Sequence, residues 1–213
     1  MKYVKILALL FGALMLSENV WSQFSVGLKS SFSRAWQDYG DTPLPENAET
    51  DIAAFQFSVL ANYRLNNYLQ IGLRPGLARR GAACVPGFNP FIGDTKWNLN
   101  YLELPMIATG NVHVWQNRIS LMARTGFGVS HLLSGYQVDE DFPDDRLPLD
   151  LGPFSGMNRF DMGFYNGLGV GWNIQRMQLF IEMDHYYGLR DAAQFQESKN
   201  RGLSWGMGIL INL

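Results

Sequence analysis

The sequence has 213 residues, a length that suits one domain and gives no sign of a second. Its formal net charge of −2 excludes a global basic field for nucleic acid, and its single cysteine, Cys84, excludes an intramolecular disulfide. Charged residues make up 17% of the chain, below the roughly 25% of ordinary soluble domains, whereas aromatic residues make up 14% and glycine accounts for 22 residues. This mixture favours β-strands with one glycine-rich face and one aromatic-rich face.

The N-terminus has the layout of a secretory signal peptide. Lys2 and Lys5 precede an apolar run from Ile6 to Leu16, and a polar stretch then ends at Ser22. The apolar run is shorter than the roughly 20 residues that a membrane-spanning helix needs, and a core helix or membrane anchor is the alternative interpretation. The predicted organisation is a signal peptide at 1–22 and one barrel domain at 23–213.

Period-2 alternation of apolar and polar residues, the pattern of half-buried strands, runs through the rest of the chain. The closing strand is the clearest, because Leu203, Trp205 and Met207 alternate with Ser204 and Gly206. Including three strands from residue 159 onward, the pattern predicts eight strands. The first five lie near 24–35, 52–64, 68–82, 97–109 and 118–134.

The connections between the predicted strands alternate between short and long. The short ones are 65–67, 110–117 and 175–176, and the long ones, rich in Pro, Gly and Asp, are 36–51, 84–96, 135–158 and 190–200. Short turns on one rim and long loops on the other are typical of outer-membrane barrels. The predicted fold is all-β, an eight-stranded antiparallel up-and-down transmembrane β-barrel with short periplasmic turns and long extracellular loops.

Alternation alone does not decide whether the apolar face points inward, as in a soluble calycin-like barrel, or outward to lipid. An inward apolar face would leave Gly167, Gly169 and Gly171 on a water-facing surface that normally carries charged and long polar side chains. In the narrow lumen of an eight-stranded barrel, the same small residues offset large ones. We therefore predict that the apolar face contacts lipid and that no open aqueous channel exists.

The predicted inward face also collects three basic and four acidic residues. Because unpaired buried charges are very costly, we expect these residues to form a structural network of ion pairs. They are Lys29, Arg74, Glu103, Arg124, Asp161, Glu182 and Asp184.

Aromatic residues mark both predicted rims of the barrel, as expected of interfacial anchors. The periplasmic girdle is predicted to contain Tyr63, Tyr68, Trp115 and Trp172, and the outer girdle Trp36, Trp97, Phe160, Tyr187 and Trp205.

Several segments together resemble the PorT family of outer-membrane β-barrels of Bacteroidota, over nearly the whole mature chain. The most specific is a Tyr-x-Glu-x-Pro element at Tyr101, Glu103 and Pro105, and the others include the opening strand from Phe24 and the Tyr68-Leu-Gln-Ile-Gly-Leu-Arg-Pro-Gly-Leu segment. The resemblance implies an outer-membrane location and an eight-stranded barrel. It implies little chemistry; the family's namesake takes part in type IX protein secretion, but no motif places this chain in that subgroup.

Two histidines near the outer rim are candidates for the base of a lipid-modifying enzyme. His131 and His185 lie beside Ser130 and Asp184, yet alternation puts each pair on opposite faces, which favours interfacial histidines over a catalytic set. His113 is predicted to be a solvated turn residue. The acidic loop at 135–158 matches no calcium-binding template, so a solvated loop is favoured over a divalent-cation site.

The sequence thus predicts no catalytic residue, cofactor or metal site. It predicts a small non-enzymatic barrel of the bacterial outer membrane that acts through its extracellular loops in binding or envelope structure. The expected partners are outer-membrane lipids and lipopolysaccharide, with a possible protein partner at the loops and no nucleic acid. An accessory role in a type IX-like secretion system and a lipid-modifying enzyme are the alternatives.

Overall fold

The computed structural model describes residues 23–40, 51–83, 95–139, 144, 146–149, 151, 157–194 and 197–213, so the predicted signal peptide lies outside it. No helix in this part of the chain is long and apolar enough to cross a membrane. Its regular elements are the strands β1 (Phe24–Asp38), β2 (Asp51–Arg64), β3 (Leu69–Leu73), β4 (Gly76–Ala83), β5 (Thr95–Val114), β6 (Ile119–Asp139), β7 (Arg146–Pro148), β8 (Phe160–Ile174), β9 (Met177–Asp191) and β10 (Lys199–Asn212).

Hydrogen-bonded pairing between neighbouring strands runs round a complete ring. β1 pairs antiparallel with both β2 and β10, so that Leu28 lies opposite Val59 on one side and Ile209 on the other. The ring continues from β2 through β3 and β4 to β5, β6, β8, β9 and back to β10. With β3 and β4 counted as one interrupted strand, the described residues form eight antiparallel barrel strands. The predicted fold class is confirmed.

The third barrel strand is interrupted at Arg74 and Pro75, where the sequence predicts continuity. Proline has no backbone N–H to donate to a neighbouring strand. The pairing nevertheless continues across the gap, because the Val59 N–H donates to the Pro75 carbonyl at 2.9 Å and the Arg74 N–H donates to the Pro105 carbonyl at 3.0 Å.

Several strands run further than the sequence predicts. β5 continues to Val114 through the segment predicted as a turn, and the turn itself holds Trp115, Gln116 and Asn117 at positive φ values of 48, 56 and 64°. Residues 36–38, 135–139 and 146–148, predicted as loop, are also strand. The side chains there no longer alternate cleanly, whereas backbone pairing does not depend on side-chain polarity.

A bulge in β6 reverses which of its side chains point outward. Asn100 pairs with Ser134 and Tyr101 with Leu132, which leaves Leu133 as an extra residue. Leu132 is therefore 1% exposed, whereas Leu133 is 51% exposed and Ser134 is also exposed. A β-bulge commonly re-aims the side chains beyond it, and here Tyr136 becomes outward-facing on the far side of the bulge.

The apolar face of the barrel points outward. Phe55, Ile181 and Met207 are 67, 64 and 68% exposed, whereas the alternating positions carry buried polar residues such as Ser33 and Ser120. We call the end with the turns at 65–68, 115–118 and 175–176 the turn end, and the opposite end the loop end.

The interior is layered along the barrel axis. An apolar layer of Leu60, Met122, Phe180 and Leu210 lies towards the turn end. A second apolar layer lies towards the loop end and contains Trp97, Leu99, Tyr101, Leu132, Met157 and Ala192. The charged residues that face inward occupy the space between these two layers, where apolar side chains lie on both sides of them along the axis.

Close packing inside this barrel depends on glycine at particular inward positions. A Cβ atom at Gly208 would lie 2.5 Å from the Leu28 carbonyl oxygen and 2.8 Å from Cε1 of Phe180. On the same strand and the same face, a Cβ atom at Gly202 would meet only the Arg34 carbonyl oxygen, at 3.5 Å. The backbone of β10 is therefore more closely packed against neighbouring groups at Gly208 than at Gly202.

We expect Gly208→Ala to lower the free energy of unfolding by about 1–3 kcal/mol, because overpacking displaces backbone or a buried ring. Gly202→Ala is the matched control on β10 and should change stability by less than about 0.5 kcal/mol. Urea titration of the refolded barrel, followed by heat-modifiable gel mobility, measures both. Equal stability of the two variants would contradict the packing described for β10.

Candidate functional site

Five charged side chains form one cluster in the interior, nearer the turn end. Lys29 Nζ lies 2.5 Å from Glu182 Oε1 and 2.6 Å from Asp184 Oδ2, and Arg74 lies 3.2 Å from Glu182. Arg124 pairs with Glu182 as well and lies 3.4 Å from Asp184. We call these residues the first cluster. It holds three cations and two carboxylates and therefore carries a formal charge of +1.

A second cluster is built around Arg80, nearer the loop end. The Arg80 guanidinium lies 2.7 Å from Glu103 Oε2 and 3.3 Å from Asp161 Oδ2. It also donates to the Tyr165 hydroxyl at 2.9 Å and stacks 3.7 Å from the ring centroid of Tyr186. One cation and two carboxylates give this second cluster a formal charge of −1.

The two clusters neutralise one another. Together they contain the cations of Lys29, Arg74, Arg80 and Arg124 and the carboxylates of Glu103, Asp161, Glu182 and Asp184. All seven residues predicted for the network lie in one of the two clusters, and Arg80 is the member that the sequence analysis missed. Arg80 lies six positions after Arg74 on the same inward face, and an excess of one carboxylate in the predicted set was a further sign of a missing cation.

The Tyr-x-Glu-x-Pro element forms one wall of the second cluster. Tyr101, Glu103 and Pro105 are successive inward residues of β5, and all three are buried. Glu103 accepts from the Tyr165 hydroxyl at 2.9 Å, while the Tyr101 ring centroid lies 5.1 Å from the Arg80 guanidinium carbon. The spacing of this motif therefore reflects which side chains face a buried arginine.

The interior leaves little open space beside the first cluster. A cavity of about 40 Å³ lies against the first cluster and is lined by Lys29, Arg74, Arg124 and Asp184, among others. This volume accommodates a few water molecules at most. Inward glycines let the strand backbone approach the buried side chains closely. At Gly169, for example, a Cβ atom would lie only 3.1 Å from Arg124 Nη2.

Most residues predicted for the two aromatic girdles lie on the outer surface. Near the turn end, Tyr68, Trp115 and Trp172 are exposed and Tyr63 is half-buried beside Phe24. Near the loop end, Phe160, Tyr187 and Trp205 are exposed and Trp36 is half-buried. These residues therefore form two groups towards opposite ends of the apolar surface.

The prediction for Trp97 is wrong. Trp97 is 3% exposed and packs in the interior layer at the loop end, against Leu99, Tyr101 and Leu132. It lies six positions before Glu103 on the same strand, so the alternation that turns Glu103 inward also turns Trp97 inward. Trp97 was predicted to be a rim residue because it lies near a strand end. The interior at this end of the barrel is apolar, however, and the Trp97 ring packs within it.

The histidines lie apart from the acidic and hydroxyl groups beside them in sequence. His131 is exposed on the outer surface, whereas Ser130 is buried and accepts from Arg80 at 3.2 Å. The His185 ring lies 6.3 Å from the Trp36 ring, whereas Asp184 belongs to the first cluster. No group of three or more potential metal ligands occurs among the described residues, and most of the acidic loop at 135–158 lies outside them.

His113 is not a free turn residue, in contrast to the sequence-based prediction. Its Nδ1 lies 2.9 Å from Ser120 Oγ and its Nε2 lies 3.1 Å from the Asn67 carbonyl oxygen. Ser120 Oγ also accepts from Asn173 Nδ2 at 2.8 Å, and Asn173 Oδ1 accepts from Gln178 at 2.8 Å. With Nε2 protonated, every bond in this chain of groups has a donor and an acceptor.

The closed strand ring, the outward apolar surface and the neutralised interior agree with a comparison against known families. The family model described as an outer membrane protein beta-barrel domain matches residues 17–194, well over half of the chain. The chain belongs to this family. It is accordingly a β-barrel protein of the bacterial outer membrane, and the predicted location is confirmed.

Solved outer-membrane barrels of other bacteria have similar structures. Neisserial surface protein A aligns with a TM-score of 0.57 and 11% identity, over 90% of this chain and 97% of that chain. OprG of Pseudomonas aeruginosa aligns at 0.47 and 10% identity, over 88% of this chain and 94% of that chain. Ail, the attachment invasion locus protein of Yersinia pestis, aligns at 0.46 and 12% identity, over 89% and 99%. No curated protein matches the sequence. At these identities the likeness to Neisserial surface protein A shows the fold alone.

We expect Arg80→Ala to lower the free energy of unfolding by about 3–5 kcal/mol, because it leaves two buried carboxylates without their cation. The control is Arg34→Ala, which removes an arginine that is 63% exposed and paired with Asp51, and which should cost less than about 1 kcal/mol. Denaturant unfolding in phospholipid vesicles measures the difference. A similar small cost for both variants would show that the second cluster does not stabilise the barrel.

We expect Ile181→Arg to destabilise the barrel in a bilayer by about 2–4 kcal/mol, because an arginine near the middle of the lipid-facing band loses its hydration. Phe160→Arg, at the loop end of β8, should cost no more than about 1 kcal/mol because the side chain lies near the interface. Vesicle-based unfolding of the two variants tests the facing of the barrel. The opposite order of costs would contradict it.

Proposed function

We propose that this protein is a non-enzymatic outer-membrane barrel that acts through the surface at its loop end, in binding or in envelope structure. The observation that carries the proposal is the filled middle of the lumen, in which eight paired charges between two apolar layers leave a cavity of about 40 Å³ beside the first cluster. General passage of solutes needs an open lumen, which barrels of about 16 to 18 strands provide. The surfaces outside the lumen therefore remain for function.

The long connections are the proposed contact region. Binding residues lie disproportionately on loops that a rigid scaffold positions, and here the strand ring is the scaffold. The segments 41–50 and 84–94 connect β1 to β2 and β4 to β5 at this end. The proposed partner is a protein or an envelope component that approaches from outside the cell, while outer-membrane lipids and lipopolysaccharide surround the apolar band.

An enzymatic role is less favoured by the arrangement of the histidines. A nucleophile and its base must lie within hydrogen-bond reach of one another. The hydroxyl of Ser130 and the carboxylate of Asp184 are committed to the two interior clusters, on the opposite side of the wall from the His131 and His185 rings.

An accessory role in a type IX-like secretion system is the second candidate, and the resemblance to PorT-family barrels of Bacteroidota favours it. The Tyr-x-Glu-x-Pro element that carries this resemblance most specifically has a structural role around Arg80. It supports a shared barrel architecture more directly than a shared partner. Export to the outer membrane would use the proposed signal peptide at 1–22.

Replacement of residues 41–50 and 84–94 by short glycine–serine linkers should abolish capture of the partner from native outer membranes while the barrel stays folded. The matched control replaces Trp115–Asn117 at the turn end by glycines, which accept the positive φ values of that turn without strain. Affinity purification with quantitative mass spectrometry of the co-purifying proteins and envelope components compares the two variants with the full chain.

Identical sets of co-purifying molecules from the full chain and the linker variant would refute loop-mediated binding. A secretion complex retained by both would favour the accessory role. Hydrolysis of lipid A or of a peptide that is lost in His131→Ala or His185→Ala would favour the enzyme.

A further inference from the structure

The outer surface changes from apolar to polar along one line across β4, β5 and β6. On these three strands, the last large apolar residues that are well exposed before the loop end are Leu77, Leu102 and Leu133, at 53, 49 and 51%. The next outward residues form a hydrogen-bonded row, in which Arg79 Nε donates to Asn100 Oδ1 at 3.2 Å and Asn100 Nδ2 donates to Ser134 Oγ at 3.0 Å. Such a change from apolar to polar residues on a barrel surface is expected where the hydrocarbon of the outer leaflet meets its headgroups.

Just beyond the line, two arginines share one aromatic ring. The guanidinium carbon of Arg79 lies 5.7 Å from the centroid of the Tyr136 ring, and that of Arg146 lies 5.4 Å from the same centroid. Arg79 comes from β4 and Arg146 from β7, which pairs with β6 beside Tyr136. We call Arg79, Asn100, Ser134, Tyr136 and Arg146 the Tyr136 platform.

Among the residues that the structure describes, no acidic side chain pairs with the two guanidinium groups of the platform. By contrast, Arg34, another outward arginine near the loop end, pairs with Asp51. Both guanidinium carbons lie within 5.7 Å of the centroid of one ring, so an anion beside Tyr136 is attracted by both positive charges.

The chemistry of the site selects a phosphate. A guanidinium group offers paired N–H donors that match two oxygens of a phosphate, and Arg79 keeps its two terminal nitrogens available because its bond to Asn100 uses Nε. Phosphate oxygens can also accept from the Tyr136 hydroxyl, which belongs to the same platform. A soluble phosphate would gain nothing from the apolar surface next to the platform, whereas an amphiphile would.

We propose that the Tyr136 platform binds the phosphate of an anionic outer-leaflet lipid, whose acyl chains lie on Leu77, Leu102 and Leu133. The inference deepens the lipid partnership proposed above and rests on it. It does not depend on loop-mediated binding, because none of the platform residues lies in 41–50 or 84–94. Its failure would therefore leave the proposed loop function untouched, and failure of the loop experiment would leave the platform untouched.

The test compares lipid retention by the full mature barrel in nanodiscs of dioleoylphosphatidylcholine that contain a minor fraction of dioleoylphosphatidylglycerol. Native mass spectrometry of the released protein should show phosphatidylglycerol bound in preference to phosphatidylcholine. Because two charge-assisted contacts are removed, Arg79→Gln/Arg146→Gln should lower this preference by at least about tenfold. Each single variant should lose a smaller part of it, which keeps the test usable if the double variant folds poorly.

Arg190→Gln is the matched control, because Arg190 lies near the same end with its guanidinium carbon 5.4 Å from the Phe160 ring but without a second arginine on that ring. It should retain the preference within about twofold, a change near the limit of what such measurements resolve. A preference that survives in the double variant, or that falls equally in Arg190→Gln, overturns the proposal. Displacement of the lipid by millimolar inorganic phosphate alone would assign the site to free phosphate and would also overturn it.

Discussion

The buried charges of this barrel persist only as a neutral set, because an unpaired ion away from water carries a large desolvation cost. Four cations and four carboxylates meet this condition, but neither cluster meets it alone. The members of the first cluster come from distant parts of the chain: Lys29 and Asp184 are separated by 155 positions and Arg74 and Glu182 by 108. Only closure of the ring between β1 and β10 brings such partners together.

The rest of the interior follows from this requirement. Apolar layers towards the two ends keep bulk water away from the charges, which strengthens each ion pair and raises the cost of any group left unpaired. The large side chains of the clusters need room, and the inward glycines provide it where the wall approaches Arg124 and Phe180. The stability of the barrel and the filling of its lumen thus have the same physical origin, since the residues that neutralise the interior also fill it.

Most of the fold could be predicted from the sequence because a strand repeats every two residues, so one correct assignment of facing fixes every other position on that strand. The seven charged residues predicted to face inward were identified in this way. The errors occur where alternation was not followed. Trp97 was assigned to the rim because it lies near a strand end, and Arg80, which follows Arg79, was not included among the inward charged residues. Which cation meets which carboxylate could not be predicted, since it depends on register between strands distant in the chain.

The bulge at Leu133 was also beyond prediction, and it has the largest consequence for the outer surface. Without the extra residue, Tyr136 would share the facing of Leu132 and would point into the apolar layer at the loop end. With it, the ring turns outward to a position near the guanidinium groups of both Arg79 and Arg146. Bulges are often retained where they re-aim a side chain. One inserted residue therefore separates the two roles of β6, which contributes Arg124 and Ser130 to the sealed interior before the bulge and presents Tyr136 to the membrane surface after it.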